Sequence, residues 1–119
     1  MEGKTFANYI IKIIKEKKGE EIKIVDVKKL ALITDYFVIC TGTVSEHCNA
    51  ISNSIEEKLK ENGIKPFSVD RATDLSWIAM DYGDVIVHIM TEEKRKLYDI
   101  EKIWKESKPK VESKRKAKS

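Results

Sequence analysis

The sequence predicts an α/β domain with a mixed five-stranded sheet and flanking helices, in the order α-β-β-α-β-β-β-α. Three observations predict it. Apolar residues recur at helical spacing in three separated segments, 4–18, 43–63 and 91–104. Runs rich in β-branched and aromatic residues lie between them. A turn-forming Tyr-Gly pair, flanked by aspartates, divides the longest such run into a hairpin.

In the first helix, "KTFANYIIKIIKEKK", Phe6, Tyr9, Ile10, Ile13 and Ile14 form one stripe. Gly19 is the expected C-cap. "EIKIVDV" (21–27) alternates as a first strand. "TDYFVICTG" (34–42) reads as a central strand, apolar on both sides. Thr43 and Glu46 have capping-box spacing, and Cys48, Ile51, Ile55 and Leu59 share the face of the helix that follows, which Gly63 closes. "KPFSVD" (65–70) is a short extended piece. In "SWIAMDYGDVIVHIM" (76–90), Trp77, Ala79 and Asp81 point one way and Ile78, Met80 and Tyr82 the other. On the return strand, Val85, Val87 and Ile89 oppose Ile86, His88 and Met90. Thr91 can cap a last helix that opens with Glu92 and Glu93, with Leu97, Ile100, Ile103 and Trp104 as its stripe.

The 119 residues fit one domain, assigned to 1–107, and 41% hydrophobic with 36% charged residues suits a globular chain with a charged skin. Residues 105–119 carry +5 and the remainder −2. A mildly acidic body with a basic tail (108–119, expected to be disordered) is unlike a uniformly basic nucleic-acid binder. No apolar run approaches the ~20 residues of a bilayer span, and "MEGKTFANYI" has no signal-type block, so the expected address is the cytoplasm and no membrane partner is expected. Cys40 and Cys48 lack C-x-x-C spacing or a second cluster, and read as reduced, packed thiols rather than metal ligands.

Each residue suited to chemistry also has a structural role open to it. His88 has no nucleophile motif nearby, so packing or an interface outweighs general-base catalysis. Asp81 and Asp84 could hold a divalent metal, but they flank a tight turn that recruits aspartate for local hydrogen bonds. Asp35 has the same reading. "TGTVSEH" could seat a phosphate at a helix N-terminus, yet it lacks the glycines or Gly-Lys-Ser/Thr of nucleotide fingerprints. Trp77 is either a core filler or an interface anchor. Lys114, Arg115 and Lys116 either touch phosphates nonspecifically or solubilise the end. Both hairpin faces are apolar, more than three helices cover easily, and an uncovered apolar face is what a protein-binding patch looks like.

"ITDYFVICTGT", a helix, "SWIAMDYGDVIVHIM" and "KLYDIEKIW" together resemble the ribosomal silencing factor family (RsfS, also called Iojap or YbeB), from about Gly19 to Trp104. The resemblance implies a nucleotidyltransferase-like fold without a working active site. It implies binding to the large ribosomal subunit at its protein number fourteen, which sterically blocks joining with the small subunit and represses translation when nutrients are scarce. This chain departs from the family pattern at Glu46, at Asp70-Arg71 and at Leu75-Ser76. On this reading the partner-binding residues are Trp77, Met80, His88 and Tyr98 for contact area, Asp81 for basic groups of the ribosomal protein, and Arg95 for nearby ribosomal RNA or an acidic rim. No catalytic residue, cofactor or metal is expected. An uncovered face would also let two free copies pair as a homodimer. The alternative is a small magnesium-dependent nucleotidyltransferase-like enzyme using Asp81 and Asp84, although the Gly-Ser loop and spaced aspartates of such enzymes are missing.

Overall fold

Backbone hydrogen bonding sorts the chain into the expected order of elements. The computed structural model describes residues 3–29 and 34–100. Its elements are α1 (Gly3–Glu16), β1 (Glu20–Asp26), β2 (Tyr36–Gly42), α2 (Ser45–Glu61), β3 (Ser68–Arg71), β4 (Trp77–Asp81), β5 (Val85–Thr91) and α3 (Glu92–Leu97). The strands form one sheet in the order β1-β2-β5-β4-β3. Only β2 and β5 run parallel, and the other neighbours are antiparallel, so the sheet is mixed. Every residue of β2 is buried, as its unbroken apolar run requires.

Helices α1 and α2 lie on one face. Phe6, Ile10, Ile13 and Ile14 from α1 and Cys48, Ile51, Ile55 and Leu59 from α2 pack on Val38, Cys40, Ile78, Met80, Val85, Val87 and Ile89. The pleat sends alternate strand residues to the opposite face, where Val27, Phe37, Ile39 and Met90 form a second, smaller cluster with Val25, Trp77, Ile86 and Ile100. Cys40 and Cys48 are free and buried, and burial pushes both thiols up, Cys40 to about 12.

Helix ends show where local chemistry decides. At the end of α1 the left-handed position falls on Lys18 (φ 65°), not on Gly19. The Lys18 N–H donates to the Lys15 carbonyl and the Gly19 N–H to that of Ile14, a Schellman closure. Glycine is still needed at 19, because a Cβ there would stand 2.3 Å from Ile14 Cγ2. At the end of α2, Gly63 does take the left-handed turn (φ 75°), with its N–H on Lys60 O and that of Ile64 on Leu59 O.

The expected capping box at Thr43 and Glu46 does not form. The N-cap of α2 is Val44, without a side-chain hydrogen bond. His47 acts instead: its Nδ1 accepts from the Thr43 N–H at 2.9 Å, and its Nε2 lies 2.7 Å from the Lys17 carbonyl. Those partners place the ring proton on Nε2. One imidazole thereby ties the β2–α2 junction to the end of α1.

Thr91 caps α3, its hydroxyl accepting from the Lys94 N–H at 3.4 Å. The helix is only six residues long and Leu97 is 69% exposed, so Leu97 does not belong to a buried stripe. Ile103, Trp104 and the basic tail at 108–119 lie outside the described residues.

Candidate functional site

The site grows out of register in the hairpin. On the face away from α1 and α2, Ala79 and Ile39 stand directly opposite His88, while Trp77 pairs with Met90 and Phe37 with Ile86. Trp77 and Phe37 are therefore the diagonal neighbours of His88, within reach of large rings. Ala79 is small enough to leave the indole room. The Trp77 Nε1–H donates to His88 Nδ1 at 3.2 Å. Phe37 meets the imidazole edge-on with centroids 5.1 Å apart. Tyr98, just past α3, lies 5.1 Å from Trp77 on the far side. Four rings from β2, β5, β4 and the end of α3 thus stand in a row.

Exposure rises along that row. Phe37 is buried, His88 and Trp77 are half-buried, and Tyr98 is 45% exposed. Lys94 Nζ sits 5.7 Å from the Tyr98 ring centroid. Burial depresses His88 to about 4, so at neutral pH the imidazole is uncharged and free to accept from the indole. An aromatic row that is buried at its inner end and wet at its outer end has the anatomy of an interface anchor.

The six residues expected to bind fall into different places. Trp77, His88 and Tyr98 are brought together, with Trp77 both packed and accessible. His88 serves mainly as the acceptor that holds the indole. Asp81 shares their face but is half-buried, and its Oδ1 accepts from the Gly83 N–H at 2.8 Å, which closes the hairpin turn with Gly83 at φ 90°. Met80 is a correction. It has the parity of Ile78, is 0% exposed and packs under the helices, so it supplies no contact area. Arg95 is the second correction. It is 8% exposed, and its Nη1 donates to the Glu21 carbonyl and, at 2.9 Å, to Thr41 Oγ1. Its guanidinium is built into the fold, not presented to RNA or to an acidic rim.

Asp84 is exposed, and its carbonyl takes the N–H groups of Asp35 and Tyr36. Among the described residues no group of three His, Cys, Asp or Glu side chains could hold a metal ion. No described helix is long and apolar enough to cross a membrane. Sequence reasoning missed Phe37 and Ala79 as parts of the row, and also Phe67, which is 81% exposed against Gly83. The signal for Ala79 was present: a small residue between Trp77 and Asp81 on one strand face marks where a neighbouring ring leans over.

The profile described as "Ribosomal silencing factor during starvation" matches residues 2–119. The chain belongs to the ribosomal silencing factor family. It is 34% identical to the Bacillus subtilis ribosomal silencing factor RsfS over 75% of each chain. It is 32% identical to the Chromobacterium violaceum RsfS over 92% of this chain and 89% of that one. A crystal structure of a Chromobacterium violaceum protein superposes with a TM-score of 0.84 at 32% identity, covering 92% of this chain and 91% of the other. More distant relatives include the chloroplastic Iojap protein of Zea mays, 32% identical over 88% of this chain and 46% of its own length. The family is named for a regulatory role on the ribosome, and these folds agree in a mixed five-stranded sheet with flanking helices.

Proposed function

We propose that this protein silences translation by docking on the large ribosomal subunit through the open face of its sheet. The partner is protein number fourteen of that subunit, and the bulk of the docked domain keeps the small subunit from joining when nutrients are scarce. The observation that carries this reading is the aromatic row ending in the exposed Tyr98, on a face that α1 and α2 do not cover. Trp77 and Tyr98 supply the anchoring area. Asp81 keeps one carboxylate oxygen outside its turn hydrogen bond and offers it to basic groups at the rim. The mouse relative bears the name "Mitochondrial assembly of ribosomal large subunit protein 1", which agrees with a large-subunit partner.

Steric occlusion needs no chemistry, no cofactor and no metal. It acts in the cytoplasm, where the subunits are. Ribosomal RNA next to the docking site would meet the rim of the same surface, and a second free copy would compete for that face.

The test is cosedimentation with large subunits. Trp77→Ala combined with Asp81→Arg abolishes it, and a folded double variant that still pellets with the subunits sinks the reading. A nucleotide titration with magnesium separates the enzyme alternative, since saturable micromolar binding would favour it.

A further inference from the structure

Helix α3 has a problem of scale. A helix of six residues is far below the ~12–15 at which isolated helices become even marginal in water. Yet this short piece carries Lys94 and leads directly into Tyr98, the most exposed ring of the row. Something outside the helix must fix it.

Arg95 lies three residues before Tyr98, whose N–H closes the helix on the carbonyl of Lys94, so the short turn that Arg95 anchors also carries Tyr98. Its side chain crosses to two strands that are remote in sequence. One acceptor, Thr41 Oγ1, stands on β2, where Thr41 pairs with Met90 of β5. The other is the carbonyl of Glu21, a non-glycine residue at φ 44° in the irregularity of the β1–β2 ladder between Glu20 and Lys23. A bulge re-aims backbone groups away from ladder partners, and this one turns its carbonyl to the guanidinium. Arg95 is nearly as buried as the core, although it carries a charge that is costly to bury without such bonds.

We infer that Arg95 is a positioning residue: by bolting α3 to the Glu21 bulge and to Thr41, it sets Tyr98 against Trp77 and so pre-forms the docking anchor without touching the partner. This rests on the docking role proposed for that face. A pre-formed anchor spares the partner the cost of ordering the ring pair when it binds.

The experiment uses the full chain in a Trp104→Phe background, so that fluorescence reports Trp77 alone. Acrylamide quenching of the free protein measures how far Tyr98 shields the indole. Cosedimentation measures docking. Tyr98→Ala is the reference for an uncovered Trp77.

Arg95→Met is expected to raise quenching to the Tyr98→Ala level and to weaken subunit binding about tenfold or more. Arg95→Lys, which keeps the charge but loses the planar fork, recovers part of both. Thr41→Val keeps shape and β-branching while deleting one acceptor, and moves both readouts the same way by about two- to fivefold. It decides the matter if Arg95→Met does not fold.

Unchanged quenching in folded Arg95→Met, or in Thr41→Val where Arg95→Met fails to fold, overturns the inference. Weakened binding with unchanged quenching does the same, because Arg95 would then act other than through Tyr98. The docking role fails separately: Tyr98→Ala that leaves subunit binding intact refutes it, whatever quenching shows.

Discussion

The two faces of the sheet use similar residues for opposite ends. Under α1 and α2, Ile10, Ile14, Ile51, Ile55, Leu59, Ile78, Met80, Val87 and Ile89 are all 0% exposed. On the other face, among the described residues, Val27, Phe37, Ile39 and Met90 are buried while the rings of Trp77 and Tyr98 reach solvent. A small domain gains little by leaving large aromatics half wet, since each wet ring forgoes burial free energy. The covered face therefore supplies most of the stability, and the docking role proposed above would account for the rings left wet on the other. Ablation on the two sides should separate those two quantities.

The largest effect belongs to the covered face. Ile51 is fully buried on the inner side of α2, with its Cδ1 close to Gly19. Ile51→Ala should cost ~3–4 kcal/mol of folding free energy, read by urea denaturation. The protein that stays folded should still bind large subunits with unchanged affinity. A specific loss of affinity at full folding would erase the division between the faces.

Next comes the hinge between stability and recognition, His88. Its folded value of about 4 lies below the ordinary 6.5 of histidine because burial disfavours the charged ring. Above pH 6.5 both folded and unfolded states hold it neutral, and its contribution is complete. As pH falls from 6.5 to about 4 the unfolded chain takes up a proton that the folded chain refuses, and stability drops. Allowing for the ring edge that still meets solvent, the loss is ~2–3 kcal/mol. His88→Gln removes the titration, so the difference between the two stability–pH curves across that window isolates this group from the carboxylates. Parallel curves would mean that the imidazole is not held neutral by its neighbours.

How much of this was legible follows from range. Strand faces are a matter of alternate residues, so the split within each hairpin strand could be read directly, Trp77 with Ala79 on one and His88 with Ile86 on the other, while the register that brings those two sets onto one face could not. Met80 shares the parity of Ile78, so alternation alone already sends it under the helices, where it is 0% exposed, and not toward a partner. Caps were half legible. Thr91 and Gly63 act where local rules put them, whereas Thr43 yields to His47, whose second bond reaches a carbonyl thirty residues earlier. Arg95 was illegible for the same reason, carried further. Its acceptor lies 74 residues away and exists only because Glu21 sits in a bulge. A surface-like Lys-Arg-Lys run gives no hint that its middle member is buried.

The smallest effect sharpens the comparison from inside the covered face. Tyr82 is 6% exposed and meets Phe6 edge-on with centroids 5.7 Å apart, yet its buried hydroxyl has no hydrogen-bond partner among the described residues. Burial, with the charge of Glu56 as a lesser cause, pushes its phenol up to about 12, so the group stays protonated and contributes only a dipole. Tyr82→Phe keeps the ring and its edge-on contact while removing a polar group that burial penalises. Stability should rise by ~0.5–1 kcal/mol, a shift of a few degrees in melting temperature. Subunit binding should not change, because the ring faces α1 and not the open side. A fall in stability would show that the hydroxyl is bonded after all, through water, and that the covered face is less dry than its burial implies.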